Sequence, residues 1–484
     1  MKAYQLLLIA NLLIQTSSAQ DFPQKKDSIY SAILQEQRSL QVILPSNYDP
    51  SQVYDVLYVI DGEWNTLTFY NIRRYLQAVG FAPPAIIVGL PNTNKDGVNM
   101  RDRDFLPTQV KTTPFSGGAA NFLAFFKTEL IPYINKTYHP GGESVLFGAS
   151  FGGTFVMYAL LTDPDVFKAY LCSDPALWWD GQYLVKLARE KLPQAKLNAR
   201  TLFIGGRAGK AFENMGIAAM DSVLRTTAPA GLAWKVASYE GETHNSVTFK
   251  TNYDALKFTY AGYTKNPLRF SIHGGIVLPE KPITITIYAD NLDVRYTNDS
   301  TLPAKEWKPI DSRLVVTDPD NMIVRSFSPG GRYTVNIPLH LRSGTTLTPA
   351  KRKPAPLHFT YFDLTAKNRK PVKTGSVDST FRLKQADLPS FECLVEGALA
   401  IPDKSYYVLQ LDEGEGSEVY INDTLRVKQP AGSKRQSIIL PLDKGVYALK
   451  VRFMQTTSRP VPRFFVFKST DGLDEWWNNV IFKL

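Results

Sequence analysis

Cysteine is nearly absent from this 484-residue chain, with only Cys172 and Cys393 present and far apart. A disulfide scaffold needs several pairs, so each domain must be held by its own core. Histidine is also scarce, with five scattered copies. Two cysteines and five dispersed histidines make no metal-binding cluster, and no cofactor motif accompanies them. Beyond the first residues, no segment approaches the ~18 consecutive apolar residues of a membrane helix. The formal net charge is +10, a sign that can mean nucleic acid or acidic polymers. The basic residues are spread out, however. Their densest run, Lys351-Arg352-Lys353-Pro354, sits in a proline-rich stretch and reads as a solvated linker, so no nucleic-acid partner is expected.

What is present begins with an address. Met1-Lys2 is positive, Leu6 to Ile14 is largely apolar, and Ser17-Ser18-Ala19 offers small residues for cleavage. This pattern predicts a secretory signal peptide over 1–19, cleaved near Ala19, and a secreted or periplasmic product.

The rest divides by texture. From Ser28 to about Tyr263, strand-like runs (Leu40–Leu44, Val53–Ile60, Ala85–Val88, Val145–Phe147, Ala169–Ser173, Thr201–Ile204, Trp234–Tyr239) alternate with helical stretches. The helical stretches include Leu67–Val79, Ala119–Ile134, Gly152–Leu161 and Phe212–Arg225. Strands alternating with helices predict an α/β domain, over 20–264, with a mostly parallel sheet covered on both faces. From Leu268 the period becomes two, clearest in Ile283-Thr284-Ile285-Thr286-Ile287-Tyr288. A small all-β sandwich is expected over 268–345, a linker over 346–357, and a second β module over 358–484.

The chemistry centres on Val145-Leu146-Phe147-Gly148-Ala149-Ser150-Phe151-Gly152-Gly153. It reads as a buried strand running into a G-x-S-x-G turn and then a helix. Such a turn exposes the serine hydroxyl above a parallel sheet, as a nucleophile requires. A serine hydroxyl is a weak nucleophile. It needs a base, and the base needs an orienting acid, which on this fold follow in the order Ser, acid, His. His244, in the loop after the last strand, is the expected base. The only other histidine of the domain, His139, precedes the nucleophile strand. For the acid, Glu213 follows the second strand beyond the serine and is preferred. Asp174, after the preceding strand, is the alternative, and a Ser–His dyad remains open. An oxyanion hole needs backbone donors. Phe151, just past the nucleophile, and Gly62 or Glu63, after the strand Val56–Ile60, are the expected ones. Trp64, Trp178 and Trp179 are expected to line the substrate pocket, since aromatic faces suit sugar rings or feruloyl groups. Gly205-Gly206-Arg207-Ala208-Gly209-Lys210 lacks P-loop spacing and is not a phosphate loop.

With these residues in order, the chain resembles the exported "putative esterase" family of α/β-hydrolases, which includes enterochelin-type siderophore esterases, feruloyl and acetyl-xylan esterases, and S-formylglutathione hydrolase. The resemblance covers about 28–263. It rests on Val56 to Gly62, Arg101-Asp102-Arg103-Asp104-Phe105-Leu106-Pro107-Thr108, Gly117 to Ala119, the turn at Ser150, and Ser173-Asp174-Pro175-Ala176-Leu177-Trp178-Trp179-Asp180. It implies Ser150 as nucleophile and His244 as base. Relatives often carry Ser-Pro-Ser where this chain has Asp174-Pro175-Ala176, which leaves the acid open. Residues 283–316 resemble the small β-sandwich that ends chitobiase-type glycosidases. Residues 397–454 resemble a protective-antigen-type β module. Such modules can bind glycans, sometimes through calcium, although Asp412-Glu413-Gly414-Glu415 does not reproduce a calcium site.

The expected function is a secreted serine carboxylesterase acting on ester decorations of polysaccharides, with glycan contact by the β modules. Two alternatives stand beside it: a siderophore trilactone esterase, and a non-catalytic glycan-binding protein on a hydrolase fold. Transfer of the acyl group to a sugar rather than water shares the same machinery.

Overall fold

The computed structural model describes residues 24–265, 268–289, 292–351, 353–366, 368–377, 390–413, 416–430, 433–456, 462–469 and 480–484. The expected leader at 1–19 lies outside them. The chain divides into two compact units at residues 263 and 264.

The first unit is an α/β-hydrolase fold built on eight strands. They are β1 (Lys25–Ser31), β2 (Glu36–Ile43), β3 (Tyr54–Ile60), β4 (Ala85–Leu90), β5 (Gly141–Ala149), β6 (Ala169–Ser173), β7 (Arg200–Arg207) and β8 (Leu232–Tyr239). The sheet order is β1-β2-β4-β3-β5-β6-β7-β8. Strands β3 to β8 pair parallel with their neighbours, while β1–β2 and β2–β4 are antiparallel. Every residue of β3 and β4 is buried, as expected of strands covered on both faces. Strand alternation divides the core accordingly. Phe147 meets Phe69 at 5.1 Å. Leu146 and its register partner Tyr58 point the other way, where Tyr58 meets Phe126 edge-on at 5.6 Å.

The expected helix at 119–134 is interrupted. It runs as Ala119–Phe125, a π-helical turn at Phe126–Leu130, and Ile131–Tyr138. Pro132 cannot donate to the preceding turn, and the wider turn lies just before it.

Topology places the site. From β3 the chain passes to β4 on one side and later returns to β5 on the other. The carboxyl ends of β3 and β5 therefore flank a switch point, where open α/β sheets leave a crevice.

The second unit joins what sequence reading separated. Its largest sheets have six strands each. One runs His340–Ser343, Gly274–Val277, Arg435–Leu442, Ser405–Asp412, Arg463–Ser469, Val480–Lys483. The other runs Pro371–Ser376, His358–Asp363, Ser390–Ile401, Gly445–Thr456, Glu418–Ile421, Thr424–Lys428. Strand Gly274–Val277, from the expected 268–345 module, pairs with Ile438 and Ile439 of the later one. One core cluster mixes Ile283 and Ile285 with Tyr406, Val408 and Phe467. The stretch expected as a free linker at 346–357 is tied down, with Leu347 N–H donating to Pro441 O at 2.8 Å and Ala350 N–H to Val446 O at 3.0 Å. Short strands with one apolar face need a partner layer, and here the later segment supplies it. Asp412 accepts from Gln410 at 3.0 Å and from Arg435 at 3.1 Å. Gly414 and Glu415 lie outside the described residues. Cys172 and Cys393 are free and buried.

Candidate active site

Three neighbouring parallel strands end in strained non-glycine residues. Asp61 after β3 has φ 54°, Ser150 after β5 has φ 56°, and Asp174 after β6 has φ 42°. Left-handed backbone is costly for such residues and gathers at functional sites. At Ser150 the ψ of −120° gives the sharp elbow between β5 and α1 (Phe151–Thr162). Ser150 N–H donates to Ser173 O at 2.9 Å, and its carbonyl accepts from Ala176 N–H at 3.1 Å. These bonds lock the elbow to the segment after β6. Its glycines are required by crowding. A Cβ at Gly148 would lie 2.4 Å from Gly152 O, and one at Gly153 would lie 2.8 Å from Pro175 Cβ.

His244 follows β8, in the loop before the helix Val247–Thr259. Its Nδ1 lies 2.6 Å from Asp174 Oδ2. The histidine side chain is 42% exposed and that of the aspartate 1%. This leaves the imidazole's other edge open while a buried carboxylate holds its Nδ1. Glu213, the preferred acid from sequence, sits in a short exposed helix, Lys210–Asn214, and forms no described bond with His244. The geometry therefore puts Asp174, not Glu213, against the histidine. The physical reason is local. Asp174 turns directly off the strand end, with its N–H on Gly205 O at 2.7 Å. Glu213 is carried away on a separate turn.

A second cation shares that carboxylate. Arg207, at the end of β7, donates from Nε to Asp174 Oδ2 at 2.6 Å and from its backbone N–H to Oδ1 at 3.3 Å. Burial opposes ionisation of Asp174. The bonds from His244 and Arg207 outweigh it and hold the carboxyl below its ordinary range. Gly205-Gly206-Arg207 does not fit a phosphate loop, and no motif in the sequence marks Arg207. The usable signal was a glycine pair at a strand end. A Cβ at Gly205 would meet Thr251 Oγ1 at 2.3 Å, and one at Gly206 would meet Ile217 Cδ1 at 2.4 Å. The pair lets two helices close on β7 beside its terminal arginine.

The other wall is built by Arg101, in the short helix Arg101–Phe105. Its Nε and Nη2 grip Asp61 at 2.7 and 2.9 Å, and Nη2 also reaches Ala149 O at 3.2 Å. The arginine thus ties the turn after β3 to the residue before Ser150. It also packs over Phe151 at 5.4 Å and Trp64 at 5.9 Å. Asn92 adds a bond to Asp61 Oδ1 at 2.7 Å and one to Glu63 Oε1 at 2.9 Å. Backbone N–H groups of Gly62, Glu63 and Phe151 lie at helix starts, and no described backbone acceptor takes them. They come from the ends of adjacent strands β3 and β5. The RDRD run also divides its labour. Arg101 faces the site, while Arg103 and Asp104 join Glu36 and Arg38 in a separate network, with Arg38 at 2.7 Å from Asp104.

The three tryptophans separate. Trp64 is 60% and Trp178 45% exposed, whereas Trp179 is buried and donates Nε1–H to Thr108 Oγ1 at 2.9 Å. Trp178 and Trp179 both pack on Phe151, at 6.0 and 5.6 Å.

Residues 31–245 match the "Putative esterase" family model. Over 249 residues the chain is 27% identical to ferri-bacillibactin esterase BesA of Bacillus subtilis, covering 46% of this chain and 85% of that one. A shorter match is 36% identical over 84 residues to the siderophore enterobactin esterase of Emericella nidulans, covering 17% and 28%. Among solved structures, an IroE-like serine hydrolase from Shewanella oneidensis aligns at 29% identity and a TM-score of 0.46, covering 49% of this chain and 80% of that one. The first unit is a serine ester hydrolase. Among the described residues, no helix is long and apolar enough to cross a membrane.

Proposed function

We propose that the chain is an exported esterase that opens the ester bonds of a siderophore of the enterochelin trilactone type, with Ser150, His244 and Asp174 as its catalytic set. The observation that carries the mechanism is the 2.6 Å contact between His244 Nδ1 and a buried aspartate. It fixes the tautomer that leaves Nε2 free to accept a proton. His244 takes the Ser150 proton as Oγ attacks the ester carbonyl. The oxyanion is held by N–H groups of Phe151 and of Gly62 or Glu63. The alcohol then leaves with the proton from His244. Water, deprotonated by the same imidazole, cleaves the acyl-enzyme and regenerates Ser150. Arg101 keeps the donor-bearing turn in place and neutralises Asp61, whose carboxylate would otherwise oppose a nearby oxyanion. The names of the two curated relatives favour a siderophore over the ester decorations of polysaccharides first expected. The exposed faces of Trp64 and Trp178 suit flat aromatic groups. The leader expected at 1–19 from the sequence would account for export.

The test combines a p-nitrophenyl acetate assay with a panel of ferric enterobactin, methyl ferulate and acetylated xylan. Ser150→Ala is expected to lower kcat by about 10³-fold or more; equal rates in the two proteins would sink the serine mechanism. If wild type cleaves methyl ferulate or acetylated xylan with a higher kcat/KM than enterobactin, the siderophore assignment falls while the mechanism stands.

A further inference from the structure

The second unit carries a cleft of about 240 Å³ whose charged lining residues are all cationic. It lies where the edge strand Thr424–Lys428 of one six-stranded sheet meets the edge of the other, His340–Ser343 and Gly274–Val277, with Arg435–Leu442 behind them. The period of two explains the lining. His340 and Arg342 share one face of their strand, and Gln436, Ile438 and Leu440 share one face of theirs. Glycine at 274 and 275 lets the connecting strand wedge between its neighbours. A Cβ at Gly274 would lie 2.6 Å from His340 O, and one at Gly275, which has φ 132°, 2.0 Å from Ile439 O.

Arg342, Arg426 and Lys428 line this cleft with His273 and His340. Lys428 has a counter-ion, Glu418, at 3.2 Å. Neither arginine has an ion-pair partner among the described residues. Asp320, which feels the charge of Arg342, spends Oδ1 on Ser343 N–H at 3.0 Å. Arg426 Nε is fully buried and has no hydrogen-bond partner among the described residues. Burial first, and then the like charge of Arg342, depress Arg426 below its ordinary value. A buried guanidinium N–H without an acceptor is costly, and two unneutralised guanidiniums side by side add repulsion. An anion with several oxygens would remove both penalties, because guanidinium forks match such oxygens bidentately. Ile276 and Ile438 provide an apolar floor, so the space suits a compact group.

We propose that this cleft is a binding site for a compact oxyanion, a sulfate, phosphate or carboxylate group, held by Arg426 and Arg342. It lies entirely within the second unit and does not depend on the esterase reading.

The test is calorimetric titration of the full chain, at constant ionic strength so that general screening is held fixed. The probes are inorganic sulfate, inorganic phosphate, D-glucuronate and, as a neutral control, glucose. Wild type is expected to bind at least one anion with a Kd on the order of 10⁻⁴ M, and glucose not at all. Arg426→Met with Arg342→Met is expected to weaken binding at least about tenfold, in line with two lost charged hydrogen bonds. Arg342→Met alone, at an exposed edge position, should weaken it with an unchanged circular dichroism spectrum, which separates loss of the site from misfolding. Tighter binding of glucuronate than of sulfate and phosphate would assign the group to an acidic saccharide, and the reverse order to a free ion. Absence of binding by any anion, equal binding in the double variant, or glucose binding as tightly as glucuronate would overturn the proposal.

Discussion

Arg207 in the first unit, at the end of its strand, and Arg426 in the second, in the middle of its own, are both half-buried guanidiniums. Arg207 has a buried carboxylate 2.6 Å away, shared with His244. Arg426 faces a cleft with no ion-pair partner among the described residues. The same contrast recurs around each. In the first unit Arg101 is paired with Asp61, and Arg38 and Arg103 with Glu36 and Asp104. In the second, Arg435 and Arg452 are paired with Asp412 and Glu392, but Arg342 stands beside Arg426 with no ion-pair partner among the described residues. A guanidinium with an internal partner is a positioning device, since the geometry of both groups becomes fixed. A guanidinium without one is half of an interaction whose other half comes from outside.

The largest effect expected of this comparison is at the shared carboxylate. Asp174→Asn keeps the shape but removes the charge and replaces one carboxylate acceptor with an amide donor, so His244 Nδ1 loses its charged partner. It should lower kcat by on the order of 10²–10⁴, since loss of an orienting acid can be worth about 10⁴. Glu213→Gln should change kcat by less than about twofold, as exposed helical positions do not touch the reaction. Steady-state kinetics on p-nitrophenyl acetate decide between them. A larger loss in Glu213→Gln than in Asp174→Asn would return the acid to the position after β7.

How much was legible beforehand varied with the range of the interaction. The G-x-S-x-G turn is local, and its strand, glycines and helix were all readable around Ser150. The place of His244 followed from strand order, because one loop after the last strand offered one histidine. The carboxylate that contacts His244 was not readable. Glu213 and Asp174 both follow strands beyond the nucleophile, and only the turn at φ 42° aims Asp174 at the histidine. The role of Arg207 depends on contacts 33 residues apart in sequence, which no local pattern encodes. In the second unit the strands were readable from their period. Their pairing was not: Gly274–Val277 pairs with a segment more than 150 residues later, and pairing partners are not written in alternation.

A middle-sized effect is expected from unpairing Arg207. Arg207→Met removes the guanidinium from Asp174 while leaving the His244 contact. The carboxyl then loses one of the bonds that hold its pKa down, so it rises toward the ordinary range. Loss of activity caused by protonation of Asp174 should therefore set in at higher pH in the variant than in the wild type. At the pH optimum the rate should fall less than about tenfold, because the orienting acid remains. A pH–rate profile extended down to about pH 3 checks this. An unchanged acid limb, or a loss as large as that of Asp174→Asn, would show that Arg207 does more than neutralise.

The smallest effect separates the units by their response to acid. In the first, burial opposes ionisation of Glu36, but Arg103 and Arg38 draw its pKa from 4.5 down to about 2. A depressed carboxyl gives stability that is present above its unfolded pKa and is lost as pH falls from 4.5 toward 2. In the second, burial pushes His273 from 6.5 down to about 4, with Arg435 acting in the same direction and the bond to Ser437 opposing. A histidine held neutral works at a different window. Between pH 6.5 and 4 the unfolded chain binds the proton and the folded unit does not, so stability falls as pH is lowered through that range. Between pH 6.5 and 4.5 the second unit should therefore weaken while the Glu36 network still holds the first. Scanning calorimetry at half-unit steps should show one transition moving down before the other. His273→Gln, which cannot titrate, should flatten that early slope. If both transitions move together, or the slope survives in His273→Gln, then His273 does not set the acid limit of its unit, and the contrast between the units reduces to their arginines.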